Sequence, residues 1–288
     1  MKSALIIGGG PAGCECALWL QLLSHEVVIV EKSNRLGGQL AYDEREGTGV
    51  IGMMNQSSLD IANNMQKHIE LKNIPVLFES SVNQVEKMSD HFIITVGKKK
   101  ILSRTLVIAT GTKSIDGGFQ EGERIIIGPG FAFSRFDFKG KRVAILGGGT
   151  YAFMSYVSAM KRGAVACHIY ARTIKADKNR IARVDPKDIR VGAYNVDSAE
   201  LSVGGQAYDV LVVMYGFKPN FPEELNSIKS QIVRPDLSII TDHNKETPIP
   251  GIYSVGDITR QVYPCIATAM SDGVIAAKVI QKYIEKVT

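Results

Sequence analysis

Ser3-Ala4-Leu5-Ile6-Ile7-Gly8-Gly9-Gly10-Pro11-Ala12-Gly13 joins a short apolar run to a Gly-x-Gly-x-x-Gly turn, and Arg142-Val143-Ala144-Ile145-Leu146-Gly147-Gly148-Gly149-Thr150-Tyr151-Ala152 repeats the arrangement with alanine last. In such a turn the first glycine permits the bend, the second lets main chain approach a phosphate, and the third lets a helix pack on a strand. The phosphate then meets the N-terminus of the helix, where free N–H groups and the helix dipole favour negative charge. Glu31 ends the next apolar run, eighteen residues after Gly13, where a carboxylate can accept from a ribose 2′-hydroxyl. One such turn is common, and two suggest electron transfer between nucleotide cofactors.

Working outward, residues 3–7, 12–23 and 27–31 read as strand, helix and strand, followed by a helix at 59–71 and strands at 75–79, 92–96 and 102–109. The pattern restarts with a strand at 142–146, a helix at 150–162 and strands at 165–170, 189–193 and 210–214. A last strand at 251–255 and a helix from about 266 to 285 form a tail too small to fold alone. That tail is expected to return to the first block and complete its sheet. The expected class is therefore α/β, with two Rossmann-like dinucleotide-binding domains, the second inserted in the first. The first would comprise residues 1–114 and 248–288, the second 115–247, with linkers around 113–122 and 243–251 forming a two-stranded hinge.

A chain of 288 residues can bury two modest cores, and 22% charged with 45% hydrophobic residues argues against disorder. The apolar run after Met1-Lys2 is broken by three glycines and Glu15 before a membrane span is complete, so a soluble, cytoplasmic protein is expected. Four scattered cysteines, Cys14, Cys16, Cys167 and Cys265, suit neither a disulfide framework nor a zinc site, and no metal is expected. The net charge of +5 would steer acidic protein partners, with no nucleic acid or membrane partner expected. Lys98-Lys99-Lys100 after Gly97 reads as a solvated hairpin tip, with a phosphate contact as the alternative.

Three further segments, Arg35-Leu36-Gly37-Gly38-Gln39-Leu40, Ala109-Thr110-Gly111 and Gly256-Asp257, complete a pattern that resembles the thioredoxin reductase-like flavoproteins almost end to end. The resemblance implies FAD. It places the diphosphate at Gly8, Gly10, Pro11, Ala12 and Gly13, and the adenosine half near Glu31, Lys32 and Val82. Gly38, Gln39 and Leu40 would lie along the flavin, Ala109, Thr110 and Gly111 beside the cofactor, and Asp257 after Gly256 would bind the ribityl chain. Cys265 and Ile266 would stand beside the flavin pyrimidine, at a helix N-terminus able to stabilise negative charge.

By the same resemblance Gly147, Gly149, Thr150, Tyr151 and Ala152 look like an NAD(P)H site. Thr150 and Met154 depart from the polar and acidic residues common there, which leaves a degraded or altered site as an alternative. The strand ending at Tyr170 has no ribose-binding carboxylate, and Arg172 and Lys175 follow instead. Basic side chains suit a 2′-phosphate, which favours NADPH over NADH, although a solvated basic loop reads almost equally well.

Thioredoxin reductases carry a Cys-x-x-Cys just before the second turn, whereas residues 128–140 here contain no cysteine. Electrons could not then leave through an internal dithiol. In this respect, and at Tyr215-Gly216-Phe217, the chain is similar to the ferredoxin/flavodoxin-NADP reductases of the same architecture. The expected function is electron transfer from NAD(P)H through FAD to an external acceptor, either a small acidic redox protein or a small molecule. Family habit implies a homodimer. Two alternatives stay open: a flavin-binding regulatory or partner-binding module, and a disulfide reductase using Cys265 alone. Phe131, Phe133, Phe136 and Phe138 alternate at strand spacing and read as a core strand, with a flavin-stacking surface as the alternative.

Overall fold

The computed structural model describes residues 1–43, 49–259 and 263–287. In chain order the first elements are β1 (Lys2–Ile7), α1 (Pro11–Leu22), β2 (Val27–Val30), α2 (Ser58–Leu71), β3 (Val76–Leu77), β4 (Val82–Lys87), β5 (Phe92–Val96) and β6 (Lys99–Ile108). Next come β7 (Thr112–Ser114), β8 (Ile125–Ile127), α3 (Phe131–Arg135), β9 (Arg142–Leu146), α4 (Thr150–Lys161), β10 (Ala166–Ala171), α5 (Lys178–Ile181) and β11 (Ile189–Val191). Three short strands, β12 (Val196–Asp197), β13 (Ser202–Val203) and β14 (Gln206–Ala207), precede β15 (Val210–Val213) and β16 (Phe217–Pro219). The chain closes with α6 (Asn226–Ile232), β17 (Ile252–Ser254) and α7 (Ile266–Val287).

Two compact units result, one of residues 1–112 and 219–288, the other of residues 113–218. In the first, β3, β2, β1 and β6 run parallel in that order. The long β6 divides its far edge, pairing with β5 through Lys99–Ser103 and with β17 through Leu106–Ile108. The expected return of the tail to the first sheet is therefore observed. Gly97, at φ +57°, turns the β5–β6 hairpin at the lysine run, as its composition predicts.

Packing follows from side-chain size. Along α1 the residues Ala12, Gly13, Cys14, Cys16, Ala17 and Leu20 are buried. A β-carbon on Gly273 of α7 would stand 2.4 Å from the Ala12 carbonyl oxygen, so the two helices meet through main chain. The opposite sheet face packs Leu5, Val28, Ile94 and Leu106 with Phe221, Leu225, Ile232 and Ile239. Those last four residues correct the expected second boundary. The chain leaves the insert at 218, not at 247, because the segment after β16 buries its apolar side chains in the first unit. The expected linker at 243–251 is part of that unit, and the strands flanking the crossings are β7 and β16, which pair with each other.

The insert holds a parallel sheet in the order β11-β10-β9-β15-β8. The aromatic segment before it is not the predicted strand. Residues 131–135 form α3, and Arg162 at the end of α4 donates to the carbonyls of Phe133 and Ser134, each at 3.0 Å, and to that of Phe136. The guanidinium lies 4.7 Å from the Phe138 ring centroid. Capturing carbonyls on one cation favours a compact turn over an extended run, which alternation alone could not show.

Candidate functional site

The first turn is shaped by contacts that tolerate no side chain. A β-carbon on Gly8, at φ +106°, would lie 2.5 Å from the Ala109 carbonyl oxygen, and one on Gly13 would lie 2.0 Å from that of Gly8. Helix α1 starts at Pro11 with no side-chain cap from Gly10, which leaves its positive end for an external anion. Glu31 braces the turn: Oε2 accepts from the Gly9 N–H at 2.7 Å, and Oε1 from the Ser33 N–H and hydroxyl, each at 2.8 Å. Lys32 is exposed beside it.

Three segments surround this turn. Gly37 donates to the Gly9 carbonyl at 2.8 Å, bringing the segment of Gly38, Gln39 and Leu40 alongside. Gln39 donates through Nε2 to the Thr112 hydroxyl at 2.8 Å. Ala109 and Thr110 lie next to Gly8, with Gly111 following, and Gly256 would place a β-carbon 2.9 Å from that of Ala12. Among the described residues three buried side-chain polar atoms have no hydrogen-bond partner: Arg35 Nε, Thr110 Oγ1 and Asp257 Oδ1. Each belongs to one of the three segments. Burial and the nearby Asp272 carboxylate push the Asp257 pKa up. A buried polar atom without a partner is costly, and a ligand carrying hydroxyl and phosphate groups would satisfy such atoms.

Two predicted contacts are placed differently from the rest. Val82 opens β4 with its side chain in the core, 3% exposed, so the side chain is not available to a ligand. Cys265 is exposed, and its N–H donates to the Thr268 hydroxyl at 3.1 Å. That hydroxyl also lowers the Cys265 thiol pKa, the thiol lying 3.4 Å from it. Ile266 begins α7 directly after it.

In the insert, Gly147 at φ +140° would place a β-carbon 2.2 Å from the Met214 carbonyl oxygen, while Gly149 faces open space. Helix α4 begins at Thr150 without a side-chain cap, and Ala152 is buried against the sheet. The loop after β10 folds over this turn, with the Lys175 N–H donating to the Gly148 carbonyl at 2.7 Å. Arg172 and Lys175 are exposed on that loop. Tyr151 packs edge-on to Phe217, with ring centroids 5.2 Å apart.

Sequence reasoning missed several polar residues. Asn220 holds the Thr110–Gly111 segment, its N–H donating to the Gly111 carbonyl at 2.9 Å and its side chain to that of Thr110 at 3.3 Å. Asp272 pairs with Lys245 at 2.8 Å, and its signal was available: it is the one acidic residue between Ile266 and Ala277 in an otherwise largely apolar helix. A chain of polar groups runs through the insert from Tyr170 to Tyr208 (2.7 Å) to His168 (2.8 Å). No sequence motif marks it. Among the described residues no cluster of His, Cys, Asp and Glu could hold a metal, and no helix is long and apolar enough to cross a membrane.

Residues 2–190 match the family described as pyridine nucleotide-disulphide oxidoreductase. A ferredoxin–NADP reductase of Streptococcus gordonii is 25% identical over 286 residues, covering 88% of this chain and 84% of that protein. An alkyl hydroperoxide reductase polypeptide of Staphylococcus aureus is 26% identical over 303 residues, covering 95% of this chain; the chain spans 57% of that longer relative. The crystal structure of Lactococcus lactis thioredoxin reductase superposes with a TM-score of 0.85 at 21% identity, covering 99% of this chain and 100% of that one, a likeness of fold. With the family match extending over more than half its length, the chain belongs to the pyridine nucleotide-disulphide oxidoreductases and is an NAD(P)H-dependent flavoprotein oxidoreductase.

Proposed function

We propose that the first unit holds FAD, that the insert binds NADPH in preference to NADH, and that electrons pass to an external acceptor, a small acidic redox protein of the ferredoxin or flavodoxin kind. The observation that carries the reading is the coincidence of three orphaned buried polar atoms with the three segments around the first turn. FAD, when bound, supplies hydride acceptance from the nicotinamide and onward electron transfer.

The chain's own residues bind and orient. The α1 N-terminus would receive the diphosphate, with Gly10 and Gly38 allowing close approach, and Glu31 would offer an acceptor to the ribose. Asp257 would accept from the ribityl chain, and Thr110 would gain the partner it lacks. In the insert, Gly147 and Gly149 would approach the second diphosphate, with Arg172 and Lys175 supplying positive charge for a 2′-phosphate. The sequence has no Cys-x-x-Cys, which supports an acceptor other than a protein dithiol of its own, and the net charge of +5 supports an acidic partner. The relative named ferredoxin–NADP reductase supports the same acceptor class.

Anaerobic mixing of the purified yellow protein with NADPH and, separately, with NADH tests the first half. Rapid bleaching by NADPH, slower with NADH, is expected, and no bleaching with either defeats the proposal. Catalytic reduction of cytochrome c that depends on added ferredoxin or flavodoxin tests the second half. Turnover of thioredoxin in place of both would reverse the acceptor assignment.

A further inference from the structure

Two tyrosine hydroxyls meet beside the second turn, at the carboxyl ends of the insert's parallel strands. Tyr215 directly follows Met214, whose carbonyl oxygen would stand 2.2 Å from a β-carbon on Gly147. The neighbours of Arg172 touch the same turn: a β-carbon on Gly148 would lie 3.0 Å from that of Ala171 and 2.0 Å from the Thr173 carbonyl oxygen. In a sheet of this kind the adenosine ribose of a dinucleotide lies at the end of the second strand, here β10, where Arg172 stands.

Tyr194, in the loop after β11, reaches this place by packing. Its ring lies tilted on that of Tyr170, two residues before Arg172, with centroids 5.6 Å apart. Its hydroxyl lies 3.3 Å from the Tyr215 hydroxyl. The Tyr215 ring is held in turn by main chain, since a β-carbon on Gly117, at φ +63°, would stand 2.5 Å from it.

The hydroxyls of these tyrosines are not equally engaged. That of Tyr170 is buried and committed to the Tyr208 hydroxyl at 2.7 Å and the Val203 carbonyl at 3.3 Å. Those of Tyr194 and Tyr215 have only each other among the described residues, at 3.3 Å, longer than the separation of about 2.7–2.8 Å usual between hydroxyls. Two O–H groups share that one bond, so one hydrogen is left without a protein acceptor. Burial, and then the Tyr215 hydroxyl, push the Tyr194 pKa up, while the Arg172 guanidinium opposes the rise, so Tyr194 keeps its proton as a donor. Arg172 itself is exposed and has no hydrogen bond or ion pair among the described residues. A guanidinium and a spare O–H donor at the end of one strand suit an anion with several acceptor oxygens.

We propose that Tyr194 donates its hydroxyl hydrogen to the 2′-phosphate of NADPH together with Arg172, and that the Tyr215 hydroxyl, donating to the Tyr194 oxygen, aims it. This role rests on the insert binding NADPH in preference to NADH, and it names the second donor that makes the distinction. A phosphate engages both groups, whereas the free 2′-hydroxyl of NADH leaves the guanidinium without a counter-charge. Tyr194 acts on nucleotide binding and takes no part in hydride transfer.

Adenosine 2′,5′-bisphosphate and 5′-AMP differ only in the 2′-phosphate, and their affinities for the full chain, measured by titration calorimetry, test the assignment. Wild type is expected to bind the bisphosphate more tightly. Tyr194→Phe keeps the ring and its packing on Tyr170. It should weaken the bisphosphate about tenfold and 5′-AMP by less than about twofold, as loss of one hydrogen bond to a charged group requires. Tyr215→Phe should weaken the bisphosphate only about threefold, because the donor remains and its aim alone is lost. If 5′-AMP binds too weakly to titrate, KM values for NADPH and NADH take the place of the two affinities, with the same limits. Equal weakening of both ligands in Tyr194→Phe means a structural role and overturns the proposal, as does a larger loss in Tyr215→Phe than in Tyr194→Phe. A wild-type chain that binds the bisphosphate no more tightly than 5′-AMP overturns the NADPH preference and this role together. A wild-type preference left unaltered by Tyr194→Phe overturns this role alone.

Discussion

A β-carbon on Gly38 would stand 3.2 Å from the α-carbon of Gly10, so the loop after β2 and the phosphate turn meet through bare main chain. Gly38 also has φ +56°. Gly38→Ala should therefore combine a backbone cost of about 1–2 kcal/mol with crowding at the site. Gly97→Ala is the control, because Gly97 has φ +57° at the β5–β6 tip and open space around it. Both variants are expected to lose thermal stability without cofactor, Gly38→Ala the more, and only Gly38→Ala should lose FAD affinity. Equal affinities in the two would remove Gly38 from the cradle.

Arg162 holds three carbonyls of residues 133–136 and lies over Phe138. Arg162→Ala is expected to destabilise the chain by about 2–4 kcal/mol, and Arg162→Lys to recover less than half, since an ammonium cannot reproduce the planar fork. Urea unfolding followed by circular dichroism checks this. A loss below about 0.5 kcal/mol would mean that the segment holds its shape without the cation.

His168 carries a pH prediction. Its side chain is 13% exposed, its Nδ1 meets the Tyr208 hydroxyl at 2.8 Å, and Asp188 Oδ1 lies 3.8 Å from Nε2. Burial, then Arg190, pulls its pKa below the ordinary 6.5; Arg142 adds to this, and Asp188 opposes it. A base with a depressed folded pKa takes up its proton more readily when unfolded. The stability it contributes is complete above the unfolded value and is lost as pH falls through the folded one. The urea midpoint should drop between pH 7.5 and 5.5, and His168→Gln, which cannot titrate, should show a smaller drop. Identical drops in both proteins would assign the pH dependence to other groups.

The four cysteines divide sharply. Cys14, Cys16 and Cys167 are buried, and burial pushes their thiols up, that of Cys14 to about 12. Cys265 is exposed with its pKa lowered by the Thr268 hydroxyl. Iodoacetamide on the native protein at pH 8 should alkylate Cys265 and spare the other three by at least about tenfold in rate, as read by peptide mapping. Comparable modification of Cys14 would show that the first turn opens in solution.

The two turns, their strands and their helices were legible locally because glycine spacing, apolar runs and a following carboxylate act over a few residues, where backbone sterics leave few choices. Gly8 and Gly13 shape the first turn as their positions predict. The segment of Phe131 to Phe138 did not yield to the same reasoning, since its shape depends on Arg162, more than twenty residues away. Nor did the second boundary, set by Phe221 and Leu225 finding a sheet face built mostly from the chain's first hundred residues. Lys245 and Asp272 pair only once β17 and α7 are in place, and the orphaned atoms of Arg35, Thr110 and Asp257 acquire meaning only by standing around one turn. Burial and charge pairing are properties of the folded neighbourhood, and a linear pattern carries them only where the partners are neighbours in the chain.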